Sequence, residues 1–495
     1  MLARIPPEAA ISLAPAAQTR TRVLVDLSHA ADGYVGVAQD IRLIFAMLAE
    51  IQSLNLTGLL MPTTRHDLPV MRADHADSPA LTAAALHWME MNWALAPRRL
   101  FPLNLIQMLQ TARQILRNRH EITRVEDRSQ INAIWRVLFS KTLEPCQRAL
   151  IARQEFAATD LSVRSVIDRA ALPLSMKAKS LATDDYDAVL FCMPRPVRLA
   201  AGVRPIMRFH DSVPISDPDT VVGSRMVLAH SALVRKCAPN SIFVCNSPQS
   251  RDSLLTIDPE RDANTVVIPC AIAPAHAAAP NIAPEAVIDR HMTLRALGEN
   301  VVQKPAGFMP PRAGMRYILS VSTLEPRKNF PGLIRAFERV AAQSEDDLRL
   351  VIVAGRGWRE NEIFPDMRPG IESGKILHLQ HVPTEELHAL MHSAVCFAFP
   401  SFNEGFGYSP IEAMQFGTPC VVSDIPVFRW IFGDSAEYVD PYDVASIAAG
   451  MSHVINNPAH RQDLLTRAAP TLNRFLPSTV SKKWQNLFEN LRDFP

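Results

Sequence analysis

Along the first half of the chain, apolar residues come in short consecutive runs bounded by polar, Gly or Pro positions. The clearest are Arg22 to Leu27, Gly58 to Met61, Ala188 to Met193, Pro205 to Phe209, Ser241 to Cys245 and Thr265 to Ile268. Longer stretches with helical periodicity separate them, and a mainly helical excursion is expected over about 62–180. Continuous apolar runs, rather than alternating ones, mark strands covered on both faces, as in parallel sheets with crossover helices. After about residue 314 the same rhythm restarts with Tyr317 to Val321, Leu348 to Ala354, Ile376 to Leu379, Val395 to Phe399 and Pro419 to Ser423. Between the two series lies a Pro- and Ala-rich stretch with little periodicity at its ends. The pattern therefore predicts an α/β chain with two doubly wound parallel sheets: a loose tail over 1–20, a first domain over 21–272, a linker over 273–314, a second domain over 315–475, and a helical segment over 476–495 that crosses back. Open parallel sheets bind ligands beyond the carboxyl ends of their strands, so the chemistry is expected in the cleft between the domains.

Length agrees with two cores: 495 residues, 48% hydrophobic, exceed what one core normally organises. Charge removes one class of partner. Fifty-one basic residues against fifty acidic ones leave a formal charge of +1, so no global field favours nucleic acid. Seven scattered cysteines, with no C-x-x-C pair, argue against a disulfide framework and a structural zinc site and suit a reducing cytoplasm. Glu8 and the prolines interrupt any apolar run in the first twenty residues, and no eighteen-residue apolar stretch occurs.

The segment richest in candidate chemistry, Pro400-Ser401-Phe402-Asn403-Glu404-Gly405-Phe406-Gly407-Tyr408-Ser409-Pro410-Ile411-Glu412, follows an apolar run. It reads as strand, loop and helix start. Gly405 and Gly407 permit close backbone approach, and a helix N-terminus offers free N–H groups to a diphosphate. Glu404 and Glu412 can accept hydrogen bonds from sugar and ribose hydroxyls. Ser409-Pro410-Ile411-Glu412 is also an S-x-x-E capping box, and both readings of Glu412 can hold together. The two glutamates eight apart around E-G-F-G resemble the E-x7-E signature of glycosyltransferase family 4, the group 1 retaining enzymes of GT-B fold. That resemblance implies that Glu404 faces the transferred sugar, that Gly405, Phe406 and Gly407 approach sugar and phosphate, and that Glu412 holds the ribose.

Upstream, Thr323-Leu324-Glu325-Pro326-Arg327-Lys328-Asn329 resembles the family's E-P-R-K-N/G loop, which implies that Lys328, with Arg327, binds the donor diphosphate. Ser322 stands where many relatives carry another arginine. A solvated loop is the alternative reading for Arg327 and Lys328. Gly355, in Gly355-Arg356-Gly357, lies after a strand, but Glu360 occupies the third small position of a dinucleotide fingerprint. The resemblance instead puts Gly355 near the nucleotide. In the first domain, Gly33-Tyr34-Val35-Gly36-Val37-Ala38 resembles the family's G-x-G loop, with Ala38 replacing a glycine. Gly36 then approaches donor phosphate or acceptor, unless the segment is a simple turn. Arg208-Phe209-His210-Asp211 ends another strand, and the resemblance implies that His210 lines the reaction centre; a structural histidine is the alternative, and Asp211 also suits a helix cap. Pro269-Cys270-Ala271-Ile272 and Trp430 depart from the family pattern.

The resemblance implies a metal-independent hexosyltransferase, with no cofactor beyond the nucleotide-sugar donor. Of two Asp-x-Asp pairs with the pattern of a divalent-ion site, Asp185-Tyr186-Asp187 precedes its strand and Asp217-Pro218-Asp219 lies in a Pro-containing loop, so neither is assigned to metal. Likeness of the T-L-E-P-R-K-N loop to bacterial polysaccharide mannosyltransferases points to mannose from GDP-mannose, and to a glycan or lipid-linked oligosaccharide acceptor. Segment 98–124, with Leu100, Leu105, Ile106 and Leu109 beside Arg98, Arg99, Arg113, Arg117 and Arg119, suits either core packing or peripheral contact with the anionic inner face of a membrane. A nonenzymatic nucleotide-sugar binder and a nucleotide-sugar isomerase are the competing classes.

Overall fold

The computed structural model describes residues 20–32, 36–62, 118–171, 178–216, 224–273, 282–297, 314–355, 357 and 359–495. Residues β1 (Thr21–Asp26), β2 (Leu54–Leu60), β4 (Ile122–Arg124), β5 (Glu155–Thr159), β7 (Ala188–Phe191), β8 (Arg204–Phe209), β9 (Ile242–Cys245) and β10 (Thr265–Val267) form one sheet, while β3 (Arg119–His120) and β6 (Ser180–Leu181) make a small separate pair. The main order is β10-β9-β8-β7-β1-β2-β5-β4, parallel except for β4 against β5. Successive residues of β1 explain the continuous apolar runs. Val23 and Val25 enter the core under the helix Gly36–Ala49, while Leu24 enters the core on the other face.

The second sheet contains β11 (Arg316–Thr323), β12 (Leu348–Gly355), β13 (Ile376–Leu379), β14 (Cys396–Phe399), β15 (Cys420–Ser423) and β16 (Glu437–Val439), in the order β13-β12-β11-β14-β15-β16. All of its pairings are parallel. Tyr317 and Leu319 face one core and Ile318 the other. The strand order therefore reverses between β1 and β7 in one sheet and between β11 and β14 in the other, which opens a crevice beyond the carboxyl ends of each pair.

Three features differ from the pattern read in sequence. Of the span 62–180, expected to be mainly helical, residues 63–117 and 172–177 lie outside the described residues, and the described part contributes β4 and β5 to the sheet; Phe156, Ala157 and Ala158 are buried in β5, but alanine carries little strand signal. The span 273–314 contains the helix Pro284–Leu297, whose apolar residues form no clear stripe although Val287 and Ile288 join the second domain's core. Strand β16 was not anticipated. Finally, the helix Pro477–Glu489 returns to the first domain and packs on Gly36–Ala49, burying Val480, Trp484, Leu487 and Phe488. Full burial is worth about 1.5–3 kcal/mol for each large apolar side chain, so this return is a firm attachment.

Candidate active site

The loop after β11 is shaped by Glu325-Pro326-Arg327-Lys328-Asn329. Pro326–Lys328 form a 3-10 turn, and Asn329 then takes a left-handed conformation, φ 55°, that asparagine tolerates better than most residues. Its Oδ1 accepts from Gly332 N at 3.2 Å, capping the helix Phe330–Ala342. Its Nδ2 donates to Pro400 O at 3.1 Å and Pro441 O at 2.7 Å. Phe402 N also donates to Arg327 O at 2.8 Å. The β11 and β14 loops are thereby tied together across the second switch point.

That tie brings Arg327, Lys328 and Glu404 into contact. Glu404 Oε2 accepts from Arg327 Nη1 at 2.8 Å and Oε1 from Lys328 Nζ at 2.5 Å. Arg327 Nε also donates to Glu325 Oε2 at 2.9 Å, and Lys328 Nζ lies 4.9 Å from the centre of the Phe399 ring. Burial alone would raise the Glu404 carboxyl; the charges of Arg327 and then Lys328 outweigh it and hold Glu404 at about 2. For Lys328 the balance is opposite: burial and the neighbouring Arg327 lower its pKa despite Glu404. Arg327 is thus the larger counter-charge of Glu404, and Lys328 is the cation that burial disfavours. Both cations are nearly enclosed rather than solvated, with side-chain exposures of 16% and 9%.

Gly405 sits where the two domains touch. A β-carbon there would lie 2.4 Å from His210 O and 2.9 Å from Asp211 Cβ. Its own carbonyl accepts from Ser247 Oγ at 2.9 Å. Gly407 has φ 91° and would also collide with Phe428, so only glycine fits this turn without strain. Between them the Phe406 side chain turns inward, 4% exposed and edge-on to Phe475. Gly407 is also the N-cap of the helix Tyr408–Gln415, with no side-chain cap. The expected capping box is therefore absent: Ser409 lies inside the first turn, two positions past the N-cap. Glu412 instead accepts from Gln39 Nε2 of the first domain at 2.6 Å, and burial pushes its carboxyl up to about 7 against that hydrogen bond.

Gly355 ends β12 with open space around it, and its carbonyl accepts from Leu324 N at 3.1 Å, which places it beside the Glu325 loop rather than in the ion cluster. Gly36 begins the helix Gly36–Ala49, and a β-carbon there would lie 3.0 Å from the Tyr408 ring. It meets the second domain directly. Gly33 lies outside the described residues.

His210 follows β8. Its Nε2 is 3.0 Å from Asp40 Oδ2, while Arg208 donates to the same carboxylate through Nε at 2.7 Å and Nη2 at 3.2 Å. Burial would raise the Asp40 carboxyl, but Arg208 and His210 hold it well below the usual range. An ionised Asp40 only accepts, so the proton sits on His210 Nε2. Tyr408, from the second domain, completes the group with its hydroxyl 3.4 Å from Asp40 Oδ1; burial keeps that phenol protonated. Cys270, in the departing Pro269-Cys270-Ala271-Ile272 segment, accepts from Arg208 Nη2 at 3.4 Å. Asp211 Oδ1 accepts from Val213 N at 3.2 Å, which is the capping alternative. Sequence reasoning did not name Gln39, Asp40, Arg208 or Tyr408 as site residues. The available signal was a set of polar residues inside otherwise apolar elements.

Asp187 accepts from Arg22 N at 2.8 Å and from its guanidinium, at the amino ends of β1 and β7 and thus away from the cleft. Asp217 and Asp219, and residues 98–117 of the basic segment, lie outside the described residues. At the segment's described end Arg119 pairs with Glu121 at 3.2 Å. Among the described residues no helix is long and apolar enough to cross a membrane.

Residues 310–469 match the family profile of glycosyl transferases group 1. The chain is similar to O-antigen chain mannosyltransferase B of Escherichia coli, 30% identical over 205 residues that cover 40% of this chain and 52% of that protein. It is also similar to O-antigen chain mannosyltransferase RfbU of Salmonella typhimurium, 33% identical over 162 residues, 32% of this chain and 44% of that one. The chain thus spans about half the length of these curated relatives. Among solved structures, sucrose-phosphate synthase of Thermosynechococcus elongatus superposes with a TM-score of 0.51 at 13% identity, covering 96% of this chain and 100% of that one. The fold is GT-B, and the resemblance to group 1 glycosyltransferases read from the E-x7-E loop is borne out over the matched region.

Proposed function

We propose that the chain is a retaining, metal-independent hexosyltransferase that moves a sugar, mannose from GDP-mannose being the favoured case, from a nucleotide-sugar donor to a glycan or lipid-linked acceptor. One observation carries this reading: Arg327, Lys328 and Glu404 converge at the β11/β14 switch point, beside a glycine turn and against His210 of the other domain. In this reading the donor diphosphate lies against Lys328, Arg327 and the first amides of the helix Tyr408–Gln415, which stabilise the charge developing on the leaving group. Glu404 faces the transferred sugar and Glu412 the ribose, replacing its bond to Gln39. Attack comes on the leaving-group face, through an oxocarbenium-like transition state, with His210 positioning hydroxyls and Asp40 orienting His210. The mannosyltransferase names of the relatives support the sugar assignment. A cytoplasmic site at the inner membrane face, with segment 98–124 as a peripheral contact, suits a lipid-linked acceptor.

The test is nucleoside diphosphate release from a panel of sugar nucleotides, with and without bacterial lipid-linked oligosaccharide. Acceptor-dependent release, highest with GDP-mannose, is expected. Turnover without acceptor would favour an isomerase, and binding without turnover a nonenzymatic nucleotide-sugar protein.

A further inference from the structure

At the far edge of the second sheet, three metal-ligating side chains meet outside the cleft. Glu437 opens β16, His453 lies near the end of the helix Val444–Asn456, and His460 lies in the first turn of the helix Pro458–Asn473. Glu437 Oε1 is 3.3 Å from His453 Nδ1 and Oε2 is 2.8 Å from His460 Nε2. The two rings stack, 4.1 Å between centroids and 17° from parallel, and the three ligand atoms lie within 4.8 Å of one another. Asn457, between the helices, caps the second of them, its Oδ1 accepting from His460 N at 3.0 Å.

We propose that Glu437, His453 and His460 form a binding site for a borderline divalent transition metal, of which Zn²⁺ is the representative. Two imidazoles and one carboxylate make a donor set that favours Zn²⁺, Ni²⁺ or Co²⁺ over Mg²⁺, which prefers oxygen ligands. Zn–N bonds of about 2.0–2.1 Å put tetrahedral donors about 3.3 Å apart. Binding therefore requires the two rings to turn out of their stack, closing the ligand atoms in from their present spread of up to 4.8 Å. Water completes the shell on the solvent side, where His453 is 48% exposed.

Position assigns the role. Glu437 is at the amino end of its strand, whereas Lys328, Glu404 and His210 follow carboxyl ends, so the ion staples an edge strand to a helix junction and takes no part in transfer. Such an ion stabilises the folded state by mass action and its loss leaves turnover intact.

The experiment uses the full chain, stripped with EDTA and dialysed, and measures thermal unfolding and calorimetric binding with ZnCl2, NiCl2 and MgCl2. One equivalent of Zn²⁺ is expected at low micromolar Kd, raising Tm by about 5 °C at a hundredfold excess over Kd. The double variant His453→Asn, His460→Asn should unfold with the wild type in EDTA and lose about tenfold or more of the Zn²⁺ affinity. Glu437→Gln, which keeps a hydrogen-bond partner for both rings, should weaken binding as well. A zinc-induced Tm rise that survives the double substitution, an equal rise with Mg²⁺, or no equivalent tighter than about 0.1 mM would overturn the site. None of these readouts depends on glycosyl transfer, so the two readings stand or fall separately.

Discussion

Replacing Glu404 by Gln should separate stability, product binding and turnover in opposite directions. Glu404 and Glu325 together balance Arg327 and Lys328, so the variant leaves a net positive charge in an almost closed site. A carboxyl at about 2 in the folded chain and 4.5 when free is worth on the order of 3 kcal/mol at neutral pH. The same magnitude follows from breaking a buried ion pair, about 3–5 kcal/mol. For a domain of this size that lowers Tm by about 6–12 °C. Because the folded carboxyl is depressed, its contribution is complete above about 4.5 and fades as pH falls toward about 2. The difference between wild type and variant should narrow over that interval. A nucleoside diphosphate then supplies the missing negative charge, so Glu404→Gln should bind GDP at least as tightly as wild type and regain most of the lost Tm, while turnover collapses. Thermal unfolding from about pH 3 to 8, with and without GDP, together with initial rates near neutral pH, makes the comparison. An unchanged Tm at pH 7, or weaker GDP binding in a folded variant, would refute the charge argument.

The remaining predictions concern the same cleft. Lys328→Ala should raise the donor KM or lower kcat by about tenfold or more with a Tm change of only a few degrees, since it removes a cation that burial already disfavours; equal donor kinetics would remove the phosphate assignment. Glu412→Gln should fold, weaken nucleotide binding, and raise Tm at pH 8 but not at pH 4. A raised folded carboxyl loses stability as pH climbs from 4.5 to about 7, and the amide has no charge to bury; unchanged nucleotide affinity would leave Glu412 a purely structural residue. EDTA should leave initial rates unchanged below the unfolding temperature, and loss of turnover that Mg²⁺ or Mn²⁺ restores would disprove metal independence.

The layered architecture was legible because strands buried on both faces need apolar residues at successive positions, and Val23-Leu24-Val25 or Tyr317-Ile318-Leu319 meet that need without tertiary information. Strand β5 escaped because Glu155–Thr159 reads E-F-A-A-T, three of whose five residues favour helix over strand. The capping box failed for a backbone reason. Gly407 in a left-handed conformation starts the helix at Tyr408, before Ser409 can cap it, and S-x-x-E carries no information about that residue's φ. Local motifs pointed to Lys328, Glu404 and Glu412 because each sits in a loop or in the short helix that follows it, with recognisable neighbours. Partnerships across the cleft are another matter. Gln39 and Glu412 are 373 positions apart, and Tyr408 and Asp40 are 368 apart, so nothing short of the folded chain reveals them.

Those cross-cleft partners determine what kind of closure the site can have. The domains meet at the site through Gln39 on Glu412, Tyr408 on Asp40 and Ser247 on the Gly405 carbonyl. Each such hydrogen bond exchanges with water for a net of about 1 kcal/mol, so a few of them make a contact that opens readily. The helix Pro477–Glu489 is different in kind, because Trp484, Leu487 and Phe488 lie inside the first domain's core and Arg208 stands 5.8 Å over the Trp484 ring. That attachment keeps the domains together when the polar contacts part. The guanidinium that fixes Asp40, and through it His210, rests against the same helix. The tether therefore also supports the wall of the cleft that Gly405 must reach. Gly405 permits this close approach of the two walls: a β-carbon there would stand 2.4 Å from His210 O, and the walls would have to separate.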